Sequence, residues 1–302
     1  MLIKPNFKLI RILKTTWKVD ILMLLICGIT FYIHEYVTKT PIQLPVAIAT
    51  LLGTAIAFFV GFSNNQAYDR WWEARTIWGG LVNDSRSWAR NILHNIPNLP
   101  QNQDLAVTKK QMIRRHIGFV YALKESLRGK KEGYFKTFLR DAEQQEVTRQ
   151  TNVPNAVIAL NAIDLQQLSE SECIDGFRFM QLNQLLTRFT DHMGKCERIK
   201  NTVFPTSYVV ITRLFIFIMI VFTTLILTES IGAWAILISW ILGFVFHITH
   251  QNGMYLMNPF EEIATGIPLN QIARTIEINL LEMLGEKDIP PAEKPVNDEY
   301  FL

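Results

Sequence analysis

Residues 44–62 read LPVAIATLLGTAIAFFVGF, a run without a single charged side chain. A hydrocarbon core roughly 30 Å thick takes about 20 helical residues to cross, and this run approaches that length. Pro45 sits at its start, where a missing backbone N–H breaks nothing. Three other windows are nearly as apolar: 21–37 (ILMLLICGITFYIHEYV), about 208–228, and 231–248. Buried helices of soluble proteins are seldom this long, this apolar and paired across such short links. Four membrane-spanning helices in two hairpins are therefore expected. The first window follows a long basic arm, meets no small-residue cleavage site and ends in His34, Glu35 and Tyr36. It reads as an anchor that stays rather than a signal peptide.

Two rows of unlike chemistry run along 44–62. Gly53, Ala57 and Gly61 recur every four residues and leave one stripe without bulk, which lets another helix approach closely. Beside them run Thr54, Phe58 and Phe62, also at four-residue spacing, and the row continues into Gln66, Asp69, Arg70 and Glu73. A face that is apolar inside the bilayer and becomes amide and charge beyond it suits the lining of a conduit. Symmetry-related copies would place rings of Phe58 and Phe62 around an axis, a hydrophobic constriction able to gate by dewetting. The competing reading turns both rings toward lipid or a neighbouring helix.

Lysine and arginine set the orientation. Lys4, Lys8, Arg11, Lys14 and Lys18 precede the first span; Arg70, Arg75, Arg86 and Arg90 follow the second; Lys195, Arg198 and Lys200 precede the third. The hairpin links carry only Lys39 and only Glu229. Both termini and the central segment are expected on the cytoplasmic side.

Net charge is only +3, too small to argue for nucleic acid. Cys27, Cys173 and Cys196 are odd in number, far apart and form no CxxC pair, which argues against a disulfide framework or zinc site. Between the second and third spans the sequence is polar with helical periodicity. Ile113, Ile117, Val120, Tyr121, Leu123 and Leu127 fall near one face. Residues 98–104, 129–133 and 151–155 read as links, and Ser169 to Glu172 as a helix start. The expected division is a basic arm (1–20), spans one and two (21–62), a helical cytoplasmic region (63–206), spans three and four (207–249), a second helical region (250–284) and a loosely ordered tail (285–302). The fold class is all-α.

The stretch 62–75, FSNNQAYDRWWEAR, resembles the corresponding segment of the bestrophin channels. Two further stretches agree in order: 196–205 (CERIKNTVFP), and Asn258-Pro259-Phe260 followed by 274–284 (RTIEINLLEML). The resemblance implies a homopentamer with one axial pore, lined in the membrane by the second helix of each subunit, in a bacterial inner membrane. It places the three apolar neck positions at Thr54, Phe58 and Phe62, with the polar Thr54 departing from the usual isoleucine. A second, cytoplasmic constriction would fall at Phe177 or Ile174. Animal members bind calcium through an acidic run after Asn-Pro-Phe; here 261–270 reads EEIATGIPLN, and a hard cation needs six or more oxygens, so no such clasp is expected.

Anion passage is the family default, and a sodium-permeable bacterial branch is the alternative. Ring edges favour anions and ring faces cations. Asp69 and Glu73 could form acidic rings at the inner entrance, whereas Arg70 and Arg75 lie beside them. His247 and His250 have metal-ligand spacing but no carboxylate to complete a set, and Arg213 can snorkel from its place in the third span. No phosphate-binding loop, nucleophile elbow or HExxH motif occurs. Neither enzyme activity nor a cofactor is expected. A secondary carrier and a membrane scaffold are the competing functions; no inverted repeat favours the first.

Overall fold

The computed structural model describes residues 9–38, 44–97, 103–202 and 206–302. These form nine α-helices: α1 (Leu9–Tyr32), α2 (Val46–Asn95), α3 (Gln103–Arg128), α4 (Asp141–Thr148), α5 (Val153–Glu170), α6 (Gly176–Asn201), α7 (Thr206–Ile231), α8 (Trp234–Leu256) and α9 (Leu269–Met283). A π-helical turn, Ile33–Thr38, extends α1, and a 3-10 turn, Tyr134–Phe138, follows α3. Among the described residues there is no strand, only an isolated bridge between Val296 and Tyr300. Four of the helices, in α1, α2, α7 and α8, are long and apolar enough to cross a membrane.

Two compact units emerge. One takes its described residues from 9–70 and 206–257, the other from 71–202 and 258–302. Helix α2 belongs to both. The helix that carries the second span continues past Phe62 to Asn95, because its buried face changes partners without losing its period. Ile56 and Val60 serve the first unit, and Ala74, Ile77, Trp78 and Leu81 the second.

In the membrane unit α1, α7 and α8 pack pairwise. Met23 and Cys27 of α1 meet Ile216, Met219 and Ile220 of α7, with Ile56 and Val60 of α2 closing the cluster. Some of the polar groups inside are satisfied locally. Thr16 donates to Asp20 at 2.6 Å, and Trp240 Nε1 to the Asp20 carbonyl at 2.9 Å. At the other end of α1, His34 Nε2 lies 2.9 Å from Glu229 of α7. All three cysteines are free.

In the second unit α3 packs against α5, α6 and α9. Its apolar face of Ile113, Ile117, Val120 and Leu123 is fully buried, as the sequence period requires. Arg115 on the same helix is buried too. It holds Glu143 (Nη2 to Oε1, 2.6 Å) and Asp164, and donates to the Leu160 carbonyl. Burial alone would raise the Glu143 carboxyl; the guanidinium outweighs it and holds that group below the usual carboxylate range. Glu277 accepts from Tyr121 at 2.6 Å, from Tyr134 at 3.1 Å and from Arg274 at 2.9 Å.

The helix start expected at Ser169 to Glu172 is corrected. Ser169 and Glu170 end α5, Ser171 caps it, and Glu172 turns through a positive φ of 53°. α6 begins at Gly176, where the Asp175 side chain accepts from the Arg178 N–H at 2.9 Å. Residues 98–102 of one expected link lie outside the described residues. In the tail, Leu302 accepts from the Asn270 N–H at 3.1 Å, and Glu293 lies 3.5 Å from Arg274.

His116 of α3 sits in an aromatic cage, 4.2 Å from the Phe189 ring centre and 6.4 Å from that of Trp88. Its Nε2 lies 2.8 Å from Ser85 Oγ, and that hydroxyl donates to the Leu81 carbonyl at 2.6 Å. The serine proton is therefore committed, and the imidazole must be the donor in this pair, which is the reverse of a Ser-His nucleophile. Burial pushes the imidazole down to about 3. In the unfolded chain it titrates near about 6.5, so between those values the unfolded state binds the extra proton. Stability is expected to fall as pH drops below about 6.5, by up to about 1.4 kcal/mol per pH unit from this group. Denaturant unfolding at several pH values checks this; the His116→Gln variant should show a shallower acid slope.

A candidate pore-lining helix

Thr54, Phe58, Phe62, Gln66, Asp69 and Glu73 all lie on the exposed side of α2. Phe58 is 69% exposed and Phe62 48%, unusual for rings of this size unless something outside the single chain covers them. The parallel row is open as well: a Cβ built at Gly53 or Gly61 meets no atom within 4 Å. Thr54 donates its hydroxyl to the Thr50 carbonyl at 2.9 Å, and Thr50 in turn to Val46 at 3.2 Å. The polarity expected at this level is thus largely spent within the helix.

Phe59, by contrast, stays inside the chain, 6.4 Å from the ring of Phe215. Helix α2 is pinned by Asn64, whose Nδ2 donates to the Thr249 carbonyl of α8 at 3.0 Å. Gly253 makes this possible, since a Cβ there would lie 1.9 Å from Asn64 Oδ1 and 3.3 Å from its Cα. Sequence reading missed this pin; the signal was a glycine one turn past Thr249, opposite an amide just beyond the apolar run.

Just beyond, the charges differ in their surroundings. Glu73 is paired with Arg198 of α6. Asp69 accepts a long bond from Asn65 Nδ2, 3.4 Å, and makes no ion pair among the described residues. Trp71 Nε1 donates to the Thr265 carbonyl at 2.9 Å, which ties α2 to the loop after Asn258-Pro259-Phe260, while Trp72 faces outward. That loop needs Gly266, because a Cβ there would lie 2.2 Å from the Glu261 carbonyl oxygen. Glu262 bonds Lys130 and Asn270 and lies 3.2 Å from Arg128. The Lys130 bond, then Arg128, holds its carboxyl low against burial. Glu261 accepts from Asn258 at 2.8 Å.

The two candidates for a second constriction part company. Ile174 is 5% exposed and belongs to the core, whereas Phe177 is 88% exposed at the start of α6. His247 and His250 are buried in α8, and no group of three potential metal ligands forms among the described residues.

The family model for bacterial and fungal bestrophin proteins matches residues 9–282. The voltage-dependent anion channel-forming protein YneE of Salmonella typhi is 29% identical over 259 residues, 85% of this chain and 83% of that protein. The similarly named RSc3414 of Ralstonia nicotianae is 25% identical across 96% of both chains. A crystal structure of a bacterial bestrophin homologue from Klebsiella pneumoniae superposes with a TM-score of 0.81 at 26% identity, covering 89% of this chain and 98% of that one. The chain belongs to the bacterial and fungal bestrophin family.

Proposed function

We propose that this chain assembles as a homopentamer around one pore lined by α2 and passes small monovalent anions, chloride first among them. The observation that carries this reading is the row Thr54, Phe58 and Phe62, with Gln66, Asp69 and Glu73 beyond it. That row lies along one helix and is left open by the chain's own packing. Neighbouring copies would cover the small-residue stripe beside it and turn the phenylalanines toward an axis. Phe177, exposed at the start of α6, supplies a second apolar ring, the role for which buried Ile174 is unsuited. The distribution of lysine and arginine supports cytoplasmic termini, and the setting this reading implies is a bacterial inner membrane.

Anion passage draws support from the pairing of Glu73 with Arg198, which offsets one of the two acidic rings, and from the names of the relatives. Sodium passage remains the second reading, favoured by Asp69, whose carboxylate has no ion pair among the described residues. Recording the full chain in planar bilayers under a sodium chloride gradient separates them. The expected result is unitary current reversing toward the chloride equilibrium potential. Reversal toward the sodium potential selects the second reading, slow saturable uptake a carrier, and silence at good protein density a scaffold.

A further inference from the structure

We propose that the groove between α1 and α7 binds the headgroup of an anionic phospholipid. The groove, about 160 Å³, is walled by Val19, Leu22 and Met23 of α1 and by Ile216 and Phe217 of α7, with Arg213 and His247 of α8 as its polar members. Arg213 stands seven residues past the first residue of α7, about 10 Å along the helix at 1.5 Å per residue. Its side chain is exposed and makes no ion pair among the described residues. His247, only 4% exposed, lines the same space and has no hydrogen bond within the described chain. An imidazole offers one N–H donor in either tautomer, and a guanidinium offers a fork suited to a phosphate.

The surrounding charge selects an anion. Lys14 and Lys18 are exposed on the same end of α1, with Lys18 Nζ 5.7 Å over the Trp17 ring. The nearby carboxylate of Asp20 is buried and accepts from Thr16. Basic pockets between spans near the membrane surface are where anionic headgroups settle. The apolar wall residues would lie along an acyl chain, and a hydrated free phosphate would gain nothing from them. The proposal rests on the membrane-spanning reading and not on conduction, so a silent channel and an empty groove are distinguishable failures.

Native mass spectrometry of the detergent-solubilised full chain, titrated with short-chain phosphatidylglycerol or phosphatidylcholine, tests it. Phosphatidylglycerol should be retained at lower concentration than phosphatidylcholine. Arg213→Gln should weaken that retention roughly fivefold, Arg213→Lys should keep most of it, and excess inorganic phosphate should not displace the lipid. Equal retention of both lipids by the wild type would overturn the proposal without recourse to any variant. So would unchanged affinity in Arg213→Gln, or displacement of the lipid by phosphate.

Discussion

Unitary conductance is expected to rise about tenfold when Phe58 and Phe62 are both replaced by alanine, which corresponds to about 1.4 kcal/mol removed from the permeation barrier. A narrow apolar ring resists wetting, so an ion entering it sheds hydration without receiving a ligand in return. Truncating both rings to methyl groups widens the passage and lets water follow the ion. Closed intervals should shorten with it. The internal control is Phe59→Ala, because that ring lies against Phe215 within its own chain and not on the open row. It should cost stability and leave conductance unchanged. Single-channel recording of the two variants beside the wild type decides the matter, and wild-type conductance in the double variant would remove both phenylalanines from the pore.

The membrane half of the chain was legible because each helix there satisfies its backbone internally, so hydropathy alone locates it. Four runs were expected, and four helices of the required length and composition occur. What periodicity could not convey was where α2 stops. A helix that passes from one unit to another keeps its 3.6-residue period while its partners change, and nothing in 63–95 forbids continuation. The mistaken helix start at Ser169 has a related cause: serine and glutamate suit a helix's first turn and its exposed last turn almost equally well. Asp175, six residues on, was the capping oxygen actually used.

Within the candidate site, spacing placed Thr54, Phe58 and Phe62 on one face, and the resemblance to bestrophins supplied the reason to set that face on an axis. The electrostatics were not legible. Glu73 meets Arg198 across a separation of 125 positions, and no local pattern announces such a pair. The same holds for Asn64 and Gly253, whose fit depends on how closely two helices approach.

The ionic core of the second unit predicts the largest loss of stability. Replacing Arg115 by methionine, close in volume, leaves Glu143 and Asp164 facing each other without their shared cation. Removing one member of a buried ion pair costs about 3–5 kcal/mol, because the remaining charge is neither hydrated nor paired. Gln111 Nε2 (3.1 Å) and the Arg140 N–H (3.1 Å) would still serve Glu143, but the exposed Arg140 guanidinium, 4.0 Å away, is a weaker counter-charge and does not reach Asp164 as Arg115 does. Arg115→Lys is expected to recover little, since one ammonium cannot span both carboxylates as the guanidinium fork does. The triple variant Arg115→Met, Glu143→Leu, Asp164→Leu should regain much of the loss, because no charge is then left uncompensated. Acid adds a second signature. The Glu143 carboxyl titrates lower in the folded chain than in the unfolded one, so its contribution is present above about 4.3 and disappears as pH falls through the folded value. Thermal unfolding of the four proteins between neutral and acidic pH checks both, and wild-type stability in Arg115→Met at neutral pH would show that the network contributes nothing.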